Sequence, residues 1–93
     1  MFENKTIAVV VPSYNEETQI ERVLATMPAF VDCVIVVDDC SRDRTVEIAE
    51  RFAATTASKT EFVVLKHEKN AGVGAAIVTG YYEAVRRRID VTA

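Results

Sequence analysis

Ninety-three residues suffice for one domain or part of one, and a hydrophobic content of 49% gives material for a packed core and excludes a disordered chain. A net charge of −3, from 11 basic and 14 acidic residues, lacks the basic face that nucleic-acid binding requires. Of the two cysteines, Cys33 sits in an apolar run and Cys40 in a polar turn; they read as reduced cytosolic thiols and not as a disulfide framework. The longest apolar runs, Ile7–Pro12 and Cys33–Val37, are too short to cross a bilayer, so the sequence predicts a soluble, cytoplasmic chain. Its stability is expected to be modest, because a short chain buries a smaller share of its surface than a full domain does.

Thr6–Val11 is a continuous β-branched run and predicts a buried strand. Pro12, which has no amide hydrogen to donate, is expected to end it. From Glu16 the period changes: Ile20, Val23, Leu24 and Met27 fall on one face of a helix, with Glu16 and Glu17 in its first turn and Pro28 as its stop. Cys33–Val37 repeats the strand signal and ends at Asp38–Asp39. Ser41 is the expected N-cap of a helix over Asp43–Ala54, whose inner face is Val46, Ala49 and Ala53 with Ile48 and Phe52 flanking. Glu61–Lys66 predicts a third strand, followed by a loop over His67–Gly72 and a helix over Val73–Arg88. Ile77, Val78, Tyr81 and Val85 give that helix its apolar stripe. Arg86, Arg87 and Arg88 read as a solvated face that complements the helix dipole. Ile89–Ala93 reads as the approach to a fourth strand lying beyond the chain.

The resulting β-α-β-α-β-α order, with continuous apolar strands, predicts a Rossmann-like three-layer α/β/α arrangement on a parallel sheet. Ligands of such sheets bind beyond the carboxyl ends of the strands, which singles out Pro12–Glu16, Asp38–Ser41 and His67–Gly74. Tyr14 can offer a ring to a base, and the amides that follow it can take an anion; a plain turn and cap accounts for the same residues. Asp38 and Asp39 repel one another and are costly to desolvate, so one is expected to turn inward to loop amides and the other to face the cleft. Both holding the turn is the alternative. Gly72 and Gly74 permit either an amide nest for a phosphate or tight helix packing. His67, the single histidine, is assigned no role. The glycines follow the third strand and not the first, so the dinucleotide fingerprint fails; P-loop, zinc and nucleophile-elbow patterns are missing from the sequence.

Taken together, Val9–Glu17, Ile35–Thr45 and Asn70–Gly80 resemble family 2 glycosyltransferases of the GT-A fold, closest to the dolichyl-phosphate or polyprenyl-phosphate mannosyl- and glucosyltransferase branch. The resemblance covers essentially the whole chain, residues 1–93, as an N-terminal nucleotide-sugar-binding part of the domain. It implies that Pro12, Tyr14 and Glu16 line a nucleotide pocket, with Tyr14 against the base. Asp39 would accept hydrogen bonds from the base or ribose of a UDP- or GDP-hexose, Asp38 would support the loop, and Gly72 and Gly74 would set backbone shape. It further implies a parent enzyme of cell-envelope glycan synthesis, membrane-associated in some members, with polyprenyl phosphate as a candidate acceptor and Mg2+ or Mn2+ on the diphosphate. The metal-holding Asp-x-Asp motif of the family follows the next strand, so no catalytic or metal residue is expected within these residues, and the chain alone is expected to be inactive. Two departures stand out: Val73 occupies the place of a frequent basic residue, and Cys40 that of a small residue or glycine. An uncovered sheet edge is expected to favour self-association. The alternative reading is a non-catalytic nucleotide-binding or assembly module on the same scaffold.

Overall fold

The computed structural model describes residues 5–93. Strands and helices alternate as β1 (Ile7–Ser13), α1 (Ile20–Ala25), β2 (Cys33–Asp38), α2 (Thr45–Thr55), β3 (Glu61–Lys66), α3 (Val73–Arg86) and β4 (Val91–Thr92). The strands form one sheet in the order β3-β2-β1-β4, parallel at every pairing. Every residue of β2 is buried, as its unbroken run of apolar side chains requires of a strand covered on both faces. On one face, α1 and α2 enclose Ile20, Leu24, Val31, Val34, Val36 and Ala49. The other face carries α3, whose Ala76 and Ala84 meet Ala8, Cys33, Ile35 and Val37.

Pro12 does not end β1. It pairs with Val37, and Ser13 pairs with Asp38. The reason is directional. The Val10 amide donates toward β4, to the Ala93 carbonyl at 2.8 Å, and alternation turns the Pro12 nitrogen to that same side. β4 pairs only with Ile7 and Ala8, so no ladder bond is lost at Pro12. A fourth strand, expected to lie beyond the chain, is instead formed within it by Val91–Thr92. Asp90 ties its start to β1 by accepting from the Thr6 amide at 2.9 Å.

α1 is shorter than its periodicity suggests. It begins at Ile20, and the preceding turn closes on the Glu16 carbonyl, which accepts from the amides of Gln19 and Ile20 at 2.9 and 2.8 Å. Asn15, at φ 52°, breaks the helical path just before, so Glu16 and Glu17 lie outside the helix. Ile20 and Leu24 are buried, whereas Val23 is exposed. α1 ends before Pro28, with the Thr26 hydroxyl donating to the Arg22 carbonyl at 2.8 Å.

α2 starts at Thr45, with Arg44 and not Ser41 at the N-cap position. Asp43 accepts from the Thr45 amide at 2.9 Å and from the Thr45 hydroxyl, closing a local turn ahead of the helix. Ser41 is occupied elsewhere, as described below. Ala49 is the buried centre of α2, and Phe52 meets Phe62 of β3 edge-on at 5.1 Å.

α3 departs furthest from expectation. Ile77, Val78, Tyr81 and Val85, the predicted core stripe, are about half exposed, and Val73 and Tyr82 are more exposed still. The buried face is Ala76, Gly80 and Ala84, one small residue per turn. Small side chains let the helix axis come close to the sheet: a Cβ placed on Gly80 would meet both methyls of Val10, one at 2.9 Å and the other nearer still. The helix stops at Arg86, two residues earlier than predicted, in a Schellman turn. Arg88 takes φ 59°, its amide donates to the Val85 carbonyl, and the Ile89 amide donates to the Ala84 carbonyl, both at 3.0 Å. Arg86 and Arg87 are not merely solvated. Both donate to Glu83 at 2.6 Å, and Arg87 reaches Glu61 of β3 at 2.8 Å. These arginines hold the Glu83 carboxyl down at about 2.

Candidate functional site

The loops after β1, β2 and β3 meet at the carboxyl end of the sheet, where they enclose a cleft of about 300 Å³. It sits at the end of β1, beside the β1/β4 position where the strand order reverses, which is where parallel α/β sheets place ligands. Pro12, Tyr14, Glu16, Asp39 and Gly72 all line it, with Ser13, Asn70, Val73 and Ala76 completing the wall. Tyr14 is 46% exposed, so its ring is free to take a planar partner.

Asp38 takes the loop-supporting place that the resemblance implies, whereas Gly74 does not set backbone shape as expected. Asp38 is buried beneath the loop and does not line the cleft. Its carboxylate accepts from the Ser41 hydroxyl at 2.5 Å and the Ser41 amide at 2.8 Å, which holds the turn. Gly74 lies within α3 at ordinary dihedrals, and a Cβ there would meet nothing, so backbone shape does not require it. Gly72 is different: at φ 96° it occupies a conformation that L side chains resist.

Asp39 lines the cleft yet is only 4% exposed, because its carboxylate also turns inward. Oδ1 accepts from the Ala71 amide at 2.8 Å and from His67 Nδ1 at 2.9 Å, while Oδ2 accepts from the Gly72 amide at 2.8 Å. The amide nest that the glycine loop offers is therefore filled by the protein's own carboxylate, and neither phosphate nor simple helix packing explains it. The Ala71 amide, the His67 side chain and the Gly72 amide outweigh burial and hold the Asp39 carboxyl below the usual carboxylate range.

The amides after β1 are likewise committed. Asn15 donates to Ser41 Oγ and Glu16 to Thr45 Oγ1, both at 2.8 Å, and Glu17 donates to Asp43 Oδ2 at 3.2 Å. The Asn15 side chain returns the interaction by accepting from the Arg42 amide at 2.9 Å. Burial pushes the Asp43 carboxyl up, but its bonds to Thr45 and Glu17 prevail and leave it lowered. Ser41, Thr45 and Asp43 thus build one wall of the cleft from behind. Sequence reasoning missed that role, since nothing local in a Ser-Arg-Asp-Arg-Thr turn points to a loop 26 to 29 residues earlier. It also missed His67, which bridges Asp39 and Thr79 of α3, the latter at 2.8 Å from Nε2. Ser13 also lines the cleft, and its Oγ is the buried side-chain polar atom without a partner among the described residues.

A parallel α/β sheet with a cleft beyond the carboxyl ends of its strands is the ligand-binding arrangement of open α/β domains. Residues 8–88 match Glycosyl transferase family 2, and the chain belongs to that family. It is 31% identical to the UDP-N-acetylglucosamine–dolichyl-phosphate N-acetylglucosaminyltransferase of Methanococcus voltae, over 95% of this chain and 39% of the relative. It is 36% identical to the human dolichyl-phosphate beta-glucosyltransferase, over 91% of this chain and 29% of the relative. Among solved structures it is similar to a Pyrobaculum calidifontis mannosyltransferase in complex with GDP-Man and Mn2+, at TM-score 0.76 and 28% identity, covering 84% of this chain and 24% of that one. The fold is the parallel α/β arrangement of GT-A glycosyltransferases, and the chain spans well under half the length of these relatives. No helix of the described residues is long and apolar enough to cross a membrane.

Proposed function

We propose that this chain forms the donor-nucleotide half of a hexosyltransferase whose parent moves a hexose from a UDP or GDP sugar to an acceptor such as polyprenyl phosphate, in cell-envelope glycan synthesis at a membrane surface. One observation carries the reading: Tyr14, Glu16, Asp39 and Gly72, drawn from three separate loops, line a single cleft at the end of β1. Its volume of about 300 Å³ lies at the lower end of the range for small-molecule sites and suits a base with its ribose more than a whole dinucleotide. In this reading Tyr14 stacks on the base, Pro12 and Val73 close the apolar sides, and Asp39 accepts from the base or ribose. Asp38 acts at one remove by fixing the turn through Ser41.

Asp39 can do this while holding its own loop, since a carboxylate has about four acceptor positions and the protein fills three. The remaining position belongs to Oδ2. A divalent cation on the diphosphate would neutralise the leaving charge in the parent enzyme. The described residues do not suit that ion: no group of three His, Cys, Asp or Glu stands together among them. We expect the 93-residue chain to bind nucleotide without turnover. The uncovered β4 edge and the apolar outer face of α3 favour pairing with a second copy at high concentration.

Calorimetric titration with UDP, GDP, ATP and NAD tests the reading. Saturable binding of a nucleoside diphosphate, with ATP and NAD excluded, is expected. Loss of a charge-assisted hydrogen bond of about 1.5–3 kcal/mol makes Asp39→Ala weaken that binding about ten-fold or more. Binding of NAD in preference to UDP and GDP would overturn the assignment and favour a non-catalytic nucleotide module.

A further inference from the structure

We propose that His67 is a positioning residue of the donor cleft, which fixes the rotation of the Asp39 carboxylate so that a lone pair of Oδ2 is left for the ligand. The proposal rests on the nucleotide reading above. His67 does not line the cleft, so it acts through Asp39 and not by touching the ligand.

Three observations carry it. His67 is anchored by its backbone, whose amide donates to the Asp38 carbonyl at 2.8 Å, so the ring starts from a point fixed to the central strand. Both ring nitrogens are engaged: Nδ1 with Asp39 Oδ1 at 2.9 Å and Nε2 with Thr79 Oγ1 at 2.8 Å. An ionised carboxylate only accepts, so Nδ1 carries the hydrogen, and in the neutral ring Nε2 accepts from the Thr79 hydroxyl. The ring is 17% exposed and the Asp39 side chain 6%, so water competes weakly for this bond.

The geometric effect follows. A carboxylate held only by the neighbouring amides of Ala71 and Gly72 can still tilt about the line joining its oxygens. A further donor on Oδ1, from His67 directly after β3 and four residues before Ala71, removes that freedom. Thr79 then ties the same ring to α3, the helix that brings Val73 and Ala76 to the cleft wall. His67 thus sets the distance between the Asp39 carboxylate and the opposite wall.

The two ring bonds can be separated by amide side chains. The amide nitrogen of Asn stands near the place of Nδ1 and that of Gln near Nε2. His67→Asn is therefore expected to keep the bond to Asp39 and lose Thr79, and His67→Gln the reverse. Hydrogen exchange at the Ala71 and Gly72 amides, with UDP and GDP affinity by calorimetry, reads the outcome on the full 93-residue chain. In His67→Gln both amides exchange about ten-fold faster and nucleotide affinity falls about ten-fold, equal to a loss of about 1.4 kcal/mol. In His67→Asn both stay within about two-fold of the unsubstituted chain. A residue that merely fills space would lower the melting temperature of both variants without separating them. Equal exchange in the two variants overturns the positioning role, whichever nucleotide binds. Failure of the unsubstituted chain to bind either nucleotide overturns the donor reading, and the exchange contrast then still decides whether His67 fixes Asp39.

Discussion

The two faces of the sheet are covered by different means. On the α1/α2 face, large branched side chains interlock, with Ile20, Leu24 and Val31 against Val34 and Val36. On the α3 face, contact is made by Ala76, Gly80 and Ala84, and the large side chains of the helix point away. The first face is held by side-chain volume and the second by closeness of approach. The same apolar content therefore stabilises one face and leaves the other with an unpartnered surface.

Gly80 offers the sharpest way to break this comparison. Gly80→Val puts its side chain into Val10, and urea unfolding is expected to show a loss of more than about 3 kcal/mol or no folded state at all. Gly74→Ala, in the same helix with open space around it, is expected to gain up to about 1 kcal/mol. Next comes a paired truncation. Leu24→Ala on the interlocked face costs about 2–5 kcal/mol, whereas Val78→Ala on the outer face of α3 changes stability by no more than about 0.5 kcal/mol. Similar losses in that pair would mean that the outer face is packed after all.

Acid titration sharpens the picture at the end of α3. The folded carboxyl of Glu83 is lowered from 4.5 to about 2, so its contribution is present above pH 4.5 and is lost as the pH falls toward 2. Glu83→Gln should be less stable than the parent at pH 7, and the gap should close by about pH 2, as followed by denaturant midpoint. A modest gain is expected at the Schellman turn: Arg88→Gly relieves a left-handed residue at φ 59° and should add about 1 kcal/mol in the same assay.

Legibility from sequence followed the same division. The strands were readable because a parallel strand covered on both faces needs an unbroken apolar run, and β2 is one. The packed face of α3 was not, because the helix is apolar on most sides and large residues mark the core only when size decides the contact. The spacing of Ala76, Gly80 and Ala84 was the available signal. At the cleft, the loops that carry Pro12, Tyr14, Glu16, Asp39 and Gly72 could be picked out because parallel topology sends each strand end to one rim, and the family resemblance then singled out these residues within them. Their internal partners could not. Which donor satisfies Asp39 depends on residues 28 to 33 positions away, and only the assembled sheet decides it.

The lacing of Asn15, Glu16 and Glu17 onto Ser41, Thr45 and Asp43 makes the first two loops one mechanical piece. A designer who wished to move the Tyr14 loop into another scaffold would have to carry the second turn with it, or leave a row of amides facing nothing. Exchange of either segment alone between relatives should fail where exchange of both together succeeds.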